Sequence, residues 1–96
     1  MVRLRWTPEA EVSLRDIYDY IGRDRPRTAR RTIESIVNRA ESLVEYPKLG
    51  KPYPYLPDRP VRILTYGEFQ VAYLVEDEQS IAVLGVFHGL IFLPLK

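Results

Sequence analysis

Glu45-Tyr46-Pro47-Lys48-Leu49-Gly50-Lys51-Pro52 divides the chain into two textures. Before it, apolar residues recur at helical spacing. Beyond it, prolines and alternating apolar residues take over. Pro47 lacks the N–H that a further helical turn would use, and Gly50 is expected to take the positive φ of a chain reversal. The stretch therefore closes a helix and opens a β-rich half.

Working backwards, Ala29, Ile33, Ile36, Val37, Ala40, Leu43 and Val44 form the buried stripe of a second helix. Ala10, Leu14, Ile17 and Ile21 form that of a first helix, which Gly22 is expected to stop. A short turn through Arg25-Pro26 leaves the two helices little choice but an antiparallel hairpin. Thr7-Pro8-Glu9 supplies a capping hydroxyl, a proline at the first helical position and a carboxylate near the positive end of the helix dipole. Ahead of it, residues 2–6 alternate apolar (Val2, Leu4, Trp6) and basic (Arg3, Arg5), as a strand with one buried face does.

Working forwards, Pro52, Pro54, Pro57 and Pro60 hold residues 51–60 extended and unsuited to a central strand. Residues 61–66 form a strand with a turn at Gly67. Residues 69–75 alternate through Phe69, Val71, Tyr73 and Val75 into the acidic turn Glu76-Asp77-Glu78-Gln79. Residues 80–87 suit a strand buried on both faces. The expected class is α+β, ordered β-α-α-β-β-β, with the helix hairpin packed on one face of a small, mainly antiparallel sheet.

Ninety-six residues suffice for a single domain with a modest core. With no cysteine, a disulfide scaffold and a Cys-based zinc site are both excluded. A lone histidine, His88, without spaced acids or a second histidine gives no metal-ligand pattern, and no cofactor site is expected. The longest apolar stretch, residues 81–95, falls short of the roughly 20 residues a membrane span needs. No signal-peptide pattern opens the chain, so a cytoplasmic location is expected.

The net charge of +1 conceals an asymmetry: residues 1–63 carry +4 and residues 64–96 carry −3. Arg23, Arg25, Arg27, Arg30 and Arg31 are opposed locally only by Asp24. Two readings stand: a solvated helix face, or a patch that meets phosphate or an acidic partner. A dedicated nucleic-acid binder is usually far more basic overall.

The order and wording of these elements resemble the RelE/ParE superfamily of toxins from bacterial toxin–antitoxin pairs. The resemblance is carried by Trp6-Thr7-Pro8-Glu9-Ala10, Leu14, Asp16-Ile17-Tyr18-Asp19-Tyr20-Ile21, Ala29-Arg30-Arg31, Tyr46-Pro47-x-Leu49-Gly50-x-Pro52, Val61-Arg62, the aromatic-centred strand at Tyr73, the turn at Glu76-Asp77, and Val86-Phe87-His88-Gly89. It implies one of two activities on a shared fold: ribosome-dependent cleavage of messenger RNA, as in RelE-like members, or non-enzymatic inhibition of DNA gyrase, as in ParE-like plasmid-stabilisation toxins. Either would be neutralised by a cognate antitoxin, in a hetero-oligomer or with a toxin homodimer.

A nuclease of this kind needs a proton acceptor, a donor and a cation around one phosphate. The candidates are His88, Arg62, Lys51 and Lys48. Nuclease members that carry the strand-end histidine follow it with tyrosine, where this chain has Gly89. They also carry arginine where this chain has Gln70, which brings no permanent charge. His88-Gly89 is closer to the ParE-like pair, so the expected function is gyrase inhibition without catalysis. The endonuclease, and a degenerate member that only binds antitoxin, are the alternatives. His88 also has a plainer reading as a hydrogen-bonded strand-end residue, and Arg62 as an ordinary edge charge.

The tail Leu90-Ile91-Phe92-Leu93-Pro94-Leu95 carries no charge before Lys96. Either it extends the last strand or it covers an apolar surface at an interface. Arg62, Phe87, His88, Leu90, Ile91 and Phe92 are the expected partner-binding residues, by helix-in-groove and strand addition.

Overall fold

Thr7 joins the first strand to the first helix and to the far end of the sequence at once. Its hydroxyl accepts from the Ala10 N–H at 3.1 Å and donates to the Val83 carbonyl at 2.8 Å. Pro8 follows at the first helical position, with Glu9 and Glu11 in the first turn, so the helix starts where the sequence requires it to. In the computed structural model, which describes residues 2–89, the elements are β1 (Arg3–Trp6), α1 (Pro8–Gly22), α2 (Pro26–Glu41) with a 3₁₀ turn at Ser42–Val44, β2 (Lys51–Pro52), β3 (Val61–Tyr66), β4 (Phe69–Asp77) and β5 (Ser80–His88).

The helices pack together over a five-stranded sheet of order β1-β5-β4-β3-β2. β1 runs parallel to β5, with Trp6 beside Val83, and every other neighbour is antiparallel. The α+β class and the mainly antiparallel sheet are as expected. One short edge strand, β2, is added, and it ends at a proline as edge strands allow. β3 and β4 are joined through Gly67, whose φ of 58° suits a two-residue hairpin. Between β4 and β5 the register slips by one residue: Tyr73 pairs with Val83 but Ala72 with Gly85, leaving Leu84 as a bulge.

The core gathers Ala10, Ile36 and Leu43 from the helical half against Leu64, Val71, Tyr73, Ile81, Val83 and Val86 from the sheet. α2 has no side-chain N-cap and no acid in its first turn, so its own ends contribute little. Ile36 and Leu43, both fully buried, hold it down at about 1.5–3 kcal/mol each.

Two glycines behave differently from their sequence reading. Gly22 does not stop α1 by a left-handed turn: it lies within the helix, Arg23 after it is still right-handed, and positive φ occurs among the described residues only at Gly67 and Gly89. Gly50 does not use positive φ either. A Cβ there would stand 2.7 Å from the Ile63 carbonyl oxygen and 2.8 Å from the Tyr73 ring, so the position is glycine because the chain passes directly against β3 and β4. Among the described residues no helix is long and apolar enough to cross a membrane.

Candidate protein-interaction site

The two ends of the sheet have different chemistry. At the hinge end, Arg62, Tyr73 and Val83 lie side by side on β3, β4 and β5. Tyr73 is fully buried, and its hydroxyl needs partners there. It donates to the Pro47 carbonyl at 2.8 Å and accepts from the Gly50 N–H at 2.9 Å. Arg62 reaches the same loop, donating to the carbonyls of Gly50 and of Lys48, the latter at 3.3 Å. Burial pushes the Tyr73 phenol above its ordinary range, with the Gly50 N–H and the nearby Arg62 charge pulling weakly the other way. The phenol is therefore a neutral hydrogen-bond donor at physiological pH. It pins the loop and has no lone pair to spare for catalysis.

At the other end, Tyr66, Phe69 and His88 lie side by side on the same three strands. The His88 Nε2 sits 2.7 Å from a Glu68 carboxylate oxygen, and its ring lies tilted against Phe69 with centroids 5.2 Å apart. Both members of the pair are exposed, the side chains at 58% and 81%. Gly89, at φ 84°, turns the backbone so that its N–H meets the Glu68 carbonyl at 2.8 Å. Between this strand end and the helices runs an open groove of about 840 Å³, with Ile17 and Ile21 of α1 facing Tyr66 and Phe69. Apolar walls with a few polar groups at the rim are what a partner's amphipathic segment requires.

The residues considered for nuclease chemistry do not converge. Arg62 aligns with Tyr73 and His88 with Phe69, four positions apart on β4. That separation is about 13 Å along the strand and about 10 Å across it. Lys51 lies one strand further out, opposite Ile63, and is exposed, as is Lys48. Gln70 neighbours Phe69 in the strand and so points to the opposite sheet face from Phe69 and His88; it receives a hydrogen bond from Thr65 at 3.1 Å. Arg62 and His88 thus belong to separate environments.

Phe87 is half-buried and folds back on its own strand: a Cβ on Gly85 would meet its ring at 2.8 Å. Leu90, Ile91 and Phe92 lie outside the described residues. Tyr73 was legible only as the aromatic centre of a strand. Its pinning role follows from a rule the sequence does contain, that a tyrosine at a central strand position must find partners for its hydroxyl. Among the described residues no group of His, Asp or Glu side chains is placed to hold a metal ion.

Comparison with known proteins gives a consistent result. The family model of the ParE toxin of type II toxin–antitoxin systems, parDE, matches residues 4–90. A structure described as the chromosomal ParDE toxin–antitoxin system from P. aeruginosa superposes with a TM-score of 0.80 at 27% identity, over 94% of this chain and 98% of that one. The toxin–antitoxin complex RelBE2 from Mycobacterium tuberculosis superposes with a TM-score of 0.68 at 22% identity, over 91% and 96% of the two chains, a likeness of fold. No curated protein matches the chain at a significant level.

Proposed function

The chain belongs to the family of ParE toxins of type II toxin–antitoxin systems, and from that premise we propose that it inhibits DNA gyrase without catalysing a reaction, and that a cognate antitoxin neutralises it in the cytoplasm. The observation that carries the non-catalytic reading is the separation of His88 from Arg62 and Lys51 across the sheet. In-line attack by a ribose 2′-OH needs base, acid and cation within a few ångströms of one phosphate. Here the histidine is engaged by a carboxylate, and the arginine by backbone carbonyls. The likeness to a ParDE system supports the same choice. The apolar groove lined by Ile17, Ile21, Tyr66 and Phe69 is the proposed antitoxin seat, with His88 and Glu68 at its rim.

Purified chain is expected to block gyrase supercoiling or to trap cleaved DNA, and to leave ribosome-bound messages intact. Mapped cuts in messages after induction, abolished by His88→Ala, would overturn the non-catalytic reading. Antitoxin binding is tested separately: Phe69→Ala is expected to weaken the complex at least tenfold, because the ring forms part of the groove wall.

A further inference from the structure

A second groove, of about 490 Å³, lies on the outer side of the helix hairpin and is chemically unlike the first. Its walls are Arg27, Arg30, Arg31 and Glu34 of α2, with Tyr18 of α1 and Pro26 at its end. Positions 27, 30, 31 and 34 fall on one face of a helix, so three guanidinium groups line up within about 6 Å of helix rise. All three arginines are exposed, and the ion pairs found among the described residues involve none of them.

By itself this arrangement is unfavourable. Like charges three and four residues apart repel. These also sit in the first two turns of α2, where the helix dipole favours acids and none is present. A local rule broken without compensation inside the chain points to a ligand outside it.

The walls narrow the choice of ligand. The groove has no aliphatic anchor of the kind that supplies energy to a peptide interface, whereas the first groove has several. It offers instead three forked donors and the ring of Tyr18, which is 40% exposed. Forked cations that track a backbone, with an aromatic face on which a base can stack, form a platform for single-stranded nucleic acid. We propose that the Arg27–Arg30–Arg31 stripe and Tyr18 bind the phosphodiester backbone and one base of a single-stranded nucleic acid. The site is separate from the antitoxin seat and independent of the gyrase reading. The low net charge makes the binding local and weak, with about three phosphates engaged.

The probe is a fluorescein-labelled twelve-residue oligothymidylate, followed by anisotropy at rising salt. Three phosphates on a single strand predict a log–log slope of affinity against salt of about −2. The triple variant R27Q/R30Q/R31Q is expected to lower affinity at least tenfold and flatten the slope. Tyr18→Leu should lower affinity severalfold and leave the slope unchanged, a split that a nonspecific charge effect would not give. Arg15→Gln, on α1 and outside the groove, should change neither. Circular dichroism of each variant shows whether it is folded, and the exposed single changes at Tyr18 and Arg15 keep the comparison readable if the triple variant is not. A slope near zero, equal loss with Arg15→Gln, or tighter binding of a polyglutamate peptide than of the oligonucleotide would each refute the proposal.

Discussion

The hinge end and the open end of the sheet are built from the same three strands, and each places an aromatic residue on β4 beside a basic residue on a neighbouring strand. Tyr73 with Arg62 is turned inward, and each polar atom involved meets the backbone of the loop at residues 47–50. Phe69 with His88 is turned outward, satisfied by one exposed carboxylate, with an apolar groove beside it. What separates them is the loop. Where it crosses against β3 and β4 it consumes the hydrogen-bonding capacity of its neighbours; where nothing crosses, the same strands present a surface. The comparison assigns stability to one end and recognition to the other.

The sharpest way to break it is at Gly50. Gly50→Val puts a side chain where 2.7 Å separates a Cβ from the Ile63 carbonyl, and a loss of about 3 kcal/mol or more in urea unfolding is expected. A loss under about 1 kcal/mol would mean that the loop is not fixed as described. Next is Tyr73→Phe, which leaves the Pro47 carbonyl and the Gly50 N–H without their partner; about 2 kcal/mol is expected.

The same variant has a pH signature. The folded phenol is held above its unfolded value, so its contribution is fully present below about pH 10 and is lost as pH rises through the folded value. The stability difference between the wild type and Tyr73→Phe should therefore shrink in strongly alkaline buffer and stay level from neutral pH to about pH 9. A difference that shrinks below pH 9 would contradict the buried, neutral phenol.

Thr7→Ala removes a helix cap and a hydrogen bond to β5, at a cost of about 1 kcal/mol. The smallest effect belongs to the open end. Glu68→Gln is expected to change stability by less than about 0.5 kcal/mol, because the pair is exposed. It should still alter antitoxin affinity. If it destabilised the chain as much as Tyr73→Phe does, the division between the two ends would fail.

Much of this scaffold was legible locally. Thr7-Pro8 announces its helix because a cap acts over three residues, and β3 occupies the expected positions 61–66 because alternation and a turn glycine act within the strand. Readings that depended on distant neighbours were less complete. Gly50 looked like a φ requirement, yet its constraint comes from Ile63 and Tyr73 across the sheet. Arg62 looked like an edge charge or a catalytic cation, and its attachment to the hinge needs the crossing of two segments twelve and fourteen residues away. At the open end, His88 was visible as a strand-end residue. Its partner Glu68 was not singled out, because a two-residue hairpin and a strand pairing bring them together only in the fold.

The placement of β5 between β1 and β4 has a consequence for synthesis. β1 is made first and β5 is the latest-made of the described strands, yet they are neighbours, and Ile81, Val83 and Val86 supply a third of the buried core cluster. A nascent chain that has emerged only as far as β4 holds its helices over an unfinished sheet, with neither groove wall at His88 nor an anchor for Thr7. Its contacts of longest sequence separation form last. The protein becomes competent to bind anything only when translation of it is nearly finished, so an antitoxin acting through the open end meets a completed chain and not an emerging one.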